Sequence, residues 1–137
     1  MVLYHVTSRC WLEAMENGFD PPWNPAAQYG PGFYTFLNLC DAEKWEEVRQ
    51  GLFAPPTAIA TVEVSSDEWD GLRRREVEPW HDWPIPASWL TEYDVLMGPW
   101  AATGSALAMA DADQVKFNPH MYARLSTMLV FHRRGGS

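Results

Sequence analysis

His5, in L-Y-H-V-T-S, and Tyr34, in Y-G-P-G-F-Y-T-F, are the side chains that raise a chemical question first. An imidazole offers a donor or an acceptor at neutral pH. A Gly-Pro-Gly turn that delivers an aromatic run to one spot serves either packing or a flat ligand. Other candidates point elsewhere. Glu78, His81 and Asp82 are metal-ligand types, but their spacing fits no established site. Cys10 and Cys40 are the only cysteines; they make neither a disulfide framework nor a zinc spacing and read as reduced thiols. Gly30-Pro31-Gly32 is too short for a phosphate-binding loop and lacks a following Lys-Ser or Lys-Thr. His120 and His132 read as surface or partly buried side chains.

The elements that must position these residues can be read from periodicity. Residues 3–6 are rich in strand formers. Ser8 is a candidate cap for a helix whose Trp11, Leu12, Met15 and Phe19 share a face, with Asn17-Gly18 as its stop. D-P-P-W-N-P excludes regular helix, so a loop runs to Gly30. A strand follows over 33–37. Asn38 or Asp41 caps the next helix, with Ala42, Trp45 and Val48 on one face, and Gly51 closes it. Pro55-Pro56 breaks the chain. Residues 57–64 alternate cleanly, with Ala58, Ala60, Val62 and Val64 on one side.

Residues 66–89 are irregular and rich in Trp and Pro, with one short helical turn near 67–72. A loop this long is functional or disordered, and its tryptophans argue for order. It is either a lid or recognition surface, or a packing layer. Strands are expected over 92–98, 114–117 and 126–132, with a short helix over 119–125 opened by Pro119. Many short strands and two early helices suggest α+β and not a parallel βαβ sheet.

Bulk properties bound the function. The chain has 137 residues, the size of one domain, residues 1–137. Its net charge of −8 argues against general affinity for nucleic acid. Arg73, Arg74 and Arg75 form a small basic run, read as a solvated face. No apolar run reaches the roughly 20 residues of a membrane span. The opening M-V-L-Y-H-V reads as strand and not as a secretory leader, which points to the cytoplasm. Eight tryptophans are many for this length, and three of them, Trp80, Trp83 and Trp89, crowd into one stretch.

Two segments then stand out together: L-Y-H-V-T-S, and G-P-G-F-Y-T-F-L-N-L-C-D-A-E-K-W from Gly30 to Trp45. A His strand, a helix ending in N-G-F, a G-x-G-aromatic-Tyr strand and a helix carrying A-E-K-W come in that order. The order resembles the ADP-ribosyltransferase superfamily, in its His-Tyr-Glu branch of diphtheria-type toxins and poly-ADP-ribose polymerases. Y-D-V-L-M-G-P-W-A, from Tyr93 to Ala101, and D-Q-V-K-F, from Asp113 to Phe117, are similar to the late segments of small bacterial toxin-like domains of that kind.

The resemblance implies an α+β fold with a split, two-sheet β core and flanking helices, and NAD as substrate in the cleft between the sheets. It implies that His5 bonds a ribose hydroxyl and that the backbone of Val6 faces the nicotinamide amide, where relatives often carry Gly. Thr7 and Ser8 would add hydroxyl contacts. Gly32 belongs to the turn at the cleft edge, Tyr34 would stack on the nicotinamide, and Phe36 would border the pocket. Trp45 either closes an aromatic sandwich suited to an electron-poor pyridinium or packs in the core. The third catalytic position, usually Glu, falls on Gln114, with Asp113 as its alternative and Asp111 nearby; strand alternation points Asp113 to the opposite face.

A neutral amide neither supplies full negative charge to an oxocarbenium-like transition state nor acts as a general base. The implied activity is mono-ADP-ribosyl transfer to a protein or nucleic-acid acceptor, as in a bacterial toxin–antitoxin or conflict system with an antitoxin protein as partner. The alternatives are an NAD glycohydrolase and a non-catalytic binding module of the same fold. No metal is implied.

Overall fold

A computed structural model describes residues 1–8, 29, 32–51, 57–78, 82, 85–99 and 112–133. The expected helix over Trp11–Phe19 and its Asn17-Gly18 stop, the D-P-P-W-N-P loop, Cys10, Gly30-Pro31, Pro55-Pro56, Trp80, His81, Trp83 and residues 101–111 with Asp111 lie outside the described residues. So do the side chains of Ser8, Val48 and His132.

The architecture is α+β. Strands β1 (Val2–Ser8), β2 (Phe33–Phe36), β3 (Thr57–Val64), β4 (Arg74–Glu76), β5 (Val95–Pro99), β6 (Asp113–Phe117) and β7 (Leu129–Arg133) form one sheet in the order β4-β5-β6-β2-β1-β3-β7. All neighbours are antiparallel except β4 and β5. The two sheets anticipated from sequence are therefore joined by hydrogen bonding into one. The join is narrow. β1 runs against β3 along its whole length, from Val2 opposite Glu63 to Ser8 opposite Thr57, whereas it meets β2 at Tyr4 opposite Phe36 alone.

Alternation along the strands sorts side chains onto two faces, and both are covered. On one face Leu3, Phe33, Ala60, Val62, Val95, Val115 and Phe117 form the main core with Met121 and Leu125. On the other face helix α1 (Leu39–Gly51) lays Ala42 and Trp45 on Phe36 and Ile59. The start of α1 follows from Asn38, whose carbonyl accepts from the amides of Asp41 at 3.2 Å and Ala42 at 3.3 Å. Asp41 in the first turn suits the positive end of the helix dipole. Thr57 Oγ1 donates to Glu46 Oε2 at 2.8 Å and ties α1 to β3. The same face continues beyond β2 as a cluster of Tyr29, Val77 and Leu96, with Tyr34, Trp89 and Tyr93 packed on it.

Three expectations about the elements change. Residues 74–76, expected as irregular chain, form β4, because their parallel partner β5 starts about 20 residues later and local pattern does not reveal it. Glu92 ends a short helix α3 (Trp89–Glu92) instead of opening a strand; its amide bonds the Ser88 carbonyl at 2.9 Å. Helix α4 (Tyr122–Met128) follows a 3-10 turn at Pro119–Met121 and carries three residues expected in the last strand. The short turn near 67–72 is present as α2 (Ser66–Asp70), where Ser65 Oγ accepts from the Glu68 amide at 3.2 Å and Trp69 is buried.

The arginine run is only partly a solvated face. Arg73 bonds Asp94 Oδ1 at 3.1 Å, Arg74 lies 5.0 Å from the Trp69 ring centroid, and Arg75 lies 4.7 Å from that of Trp89. No described helix is long and apolar enough to cross a membrane.

Candidate functional site

The segments that carry His5, Tyr34 and Gln114 lie on β1, β2 and β6, which are consecutive in the sheet. Their register explains how they meet. Continued past Tyr4 and Phe36, the β1–β2 ladder would pair His5 with Thr35 and then Val6 with Tyr34. It does not continue. Instead His5 Nδ1 lies 2.6 Å from the Tyr34 carbonyl oxygen, so that nitrogen carries the proton and donates it. The imidazole thus bridges the two halves of the sheet where the backbone ladder stops.

The contact is with the Tyr34 backbone and not with its ring. His5 lies on the main-core face, with its ring stacked on Phe33 at a centroid distance of 4.1 Å. Tyr34 and Gln114 lie on the opposite face, because Tyr34 opposes Lys116, Phe36 opposes Gln114, and residues two apart share a side. Alternation had placed Phe33 in the core and Tyr34 with Phe36 on the other side, and the structure has both.

Tyr34 is half-buried, and its hydroxyl oxygen accepts from the Tyr29 amide at 3.0 Å. Burial pushes its phenol well above the ordinary range, so it is neutral at physiological pH. Gln114 is buried, while Asp113 beside it is exposed and turned to the other face. The Gln114 Nε2 atom is buried and has no hydrogen-bond partner among the described residues. An unpaired amide in such a place is costly, on the order of 1–3 kcal/mol, and is the kind of group a ligand oxygen would satisfy.

The remaining candidates are distributed. Val6 and Phe36 pack with Ile59 and Ala42, and the half-buried Trp45 packs against that cluster. Tyr34 belongs to the neighbouring cluster with Tyr29 and Leu96. Thr7 is buried opposite Ala58. Gly32 is required by close approach: a Cβ there would fall 2.3 Å from Lys116 Cε and 2.5 Å from the Phe117 carbonyl oxygen.

Lys116 is the residue that the sequence reading missed. It is fully buried, and its Nζ donates to the Tyr29 carbonyl at 2.8 Å and to Asn118 Oδ1 at 2.6 Å. Desolvation pulls its amine down to about 7. The only signal was its place in D-Q-V-K-F, one step from two apolar residues; that it is buried depends on both faces of β6 being covered. Asp94 was missed too. Burial alone would raise its carboxyl, but hydrogen bonds from the Arg73 guanidinium and amide and from His120 outweigh burial and hold it at about 2. His120 also reaches the Leu90 carbonyl, at 3.0 Å, so it serves as a brace. Asp82 Oδ2 accepts from the Glu78 amide at 2.8 Å, and no metal-binding cluster exists among the described residues.

Comparison of the chain with protein-family models, with curated proteins and with solved structures returns no match.

Proposed function

We propose that this chain is a mono-ADP-ribosyltransferase that takes NAD as substrate on the Tyr34 face of β2 and β6, in an ADP-ribosyltransferase-like split core. The observation that carries the reading is the buried amide of Gln114, without a partner among the described residues, on the same face as the half-buried Tyr34 ring. That pair fits a flat ring joined to a polar sugar. The adjacency of β6, β2 and β1, and the narrow join between β1 and β2, support it further.

In this reading Tyr34 stacks on the nicotinamide and Gln114 holds a ribose hydroxyl. His5 acts on the site through the Tyr34 carbonyl and sets the position of β2. The C1′–nitrogen bond breaks, its electron pair leaves with nicotinamide, and an acceptor nucleophile bonds C1′ and gives up its proton. Gln114 brings no charge to the oxocarbenium-like transition state, which favours slow, single-unit transfer. The biological setting that goes with it is a toxin held by an antitoxin protein.

Incubation with NAD labelled in the adenylate half tests the reading. Label on a macromolecule, lost in Tyr34→Ala and Gln114→Ala, is the expected result. Free labelled ADP-ribose alone would indicate a glycohydrolase. A second reading, a binding module without catalysis, is favoured by the His5 ring facing Phe33 and by Trp45 packing against the core. NAD binding without turnover would decide for it.

A further inference from the structure

Tyr29 is pinned at three points. Its carbonyl accepts from Lys116 Nζ, its amide donates to the Tyr34 hydroxyl at 3.0 Å, and its own hydroxyl donates to the Pro99 carbonyl. Lys116 is itself pinned. Asn118 accepts from its Nζ and in turn donates through Nδ2 to the carbonyls of Trp89 at 3.0 Å and Tyr93 at 2.7 Å. The lysine stem passes directly over Gly32, in space that any Cβ would occupy. A chain of hydrogen bonds therefore runs from α3 through Asn118, Lys116 and Tyr29 to the hydroxyl of Tyr34.

A buried amine with no carboxylate partner is an expensive way to fill this space, since an apolar side chain of similar length would avoid the desolvation. Among the described residues Lys116 makes no ion pair. Its two partners among the described residues are neutral oxygens, which the two N–H bonds of an uncharged amine satisfy. What the lysine adds over an apolar residue is a directed hold on the Tyr29 carbonyl.

We propose that Lys116 is a positioning residue for Tyr34, holding the ring of the candidate site in place through Tyr29. The proposal rests on the reading of the Tyr34 face as a ligand site, but its test does not need turnover. Among the described residues the titratable groups acting on the two tyrosines of the relay are Tyr29 and Tyr34 themselves, Tyr122 from α4 against Tyr34, and Asp113 at the start of β6 against Tyr29. From β5 the residue opposite Lys116 is the apolar Leu96. Lys116 is therefore the group in the relay that changes charge near neutral pH.

The experiment is NMR of the full chain carrying 13Cζ-labelled tyrosine and 15Nζ-labelled lysine, titrated from about pH 6 to about pH 9. Tyr34→Phe assigns the Tyr34 signal. The Tyr34 resonance should move with the same midpoint as the Lys116 resonance, and the movement should vanish in Lys116→Met. A Tyr34 signal that stays still, moves with a different midpoint, or moves equally in Lys116→Met overturns the proposal. If Lys116→Met does not fold, the wild-type comparison of midpoints decides alone. Calorimetric titration with NAD on the same sample separates the two ideas: no NAD binding sinks the NAD reading and leaves the relay to the NMR result.

Discussion

Replacing Lys116 by Met should remove a pH dependence of stability whose size follows from its burial. The amine sits at about 7 in the folded protein against an ordinary 10.5. Between those values the unfolded chain binds more protons than the folded one, so unfolding free energy rises with pH across that window. The slope approaches about 1.4 kcal/mol per pH unit, and from pH 7 to pH 9 the wild type should gain about 2 kcal/mol from this one group. Below about pH 7 the amine is charged in both states, and its contribution no longer changes. Urea unfolding of wild type and Lys116→Met at pH 7, 8 and 9 isolates the effect, because every other group titrates alike in both proteins. The difference in midpoint, multiplied by the slope of the transition, should shift by about 2 kcal/mol between the ends of the series. Parallel stability curves for the two proteins would refute the argument, since they would mean that Lys116 reaches water when folded.

Further outcomes can be checked alongside. Asp94 is held at about 2 against an ordinary 3.8, so its stabilising effect is complete above about pH 5 and is lost as pH falls toward 2. Asp94→Asn should cost about 2 kcal/mol at neutral pH and flatten the acid side of the stability curve in thermal melts. Gly32→Ala forces a methyl group against the Phe117 backbone carbonyl as well as Lys116, and should destabilise by about 1–3 kcal/mol, read as a lower urea midpoint. Phe33→Ala removes a fully buried ring together with the surface on which His5 stacks; a loss of about 3–5 kcal/mol in chemical denaturation is expected.

Much of the sheet was legible because its strands carry strong local signals. Residues 57–64 alternate, and the side that holds Ala58, Ala60, Val62 and Val64 faces the main core. Alternation also placed Phe33 inward and turned Asp113 away from Gln114, and both hold. The helix of residues 39–51 was readable from a cap at Asn38 or Asp41, an apolar face of Ala42, Trp45 and Val48, and Gly51. What was not legible depends on partners distant in the chain. β4 is short and entirely exposed in side chain, so only its pairing with β5 makes it a strand. Trp45 was open between ring stacking and core, and its packing against Phe36 and Ile59 depends on where α1 lies over the sheet.

The candidate site divides in the same way. Strand alternation alone determined that Tyr34 and Phe36 share a side and that Gln114 and Asp113 point to opposite sides, since a period of two is a local property of any extended chain; the pairing of β2 with β6 then put Gln114 on the Tyr34 side. Tertiary structure decided that the His5 ring lies on the other side and reaches Tyr34 through a backbone carbonyl, because that depends on where the β1–β2 ladder stops. It also decided that Lys116 is buried and bound to Tyr29. A lysine in a strand reads as solvent-facing until both faces of that strand are covered, and covering comes from chain segments that β6 cannot specify by itself.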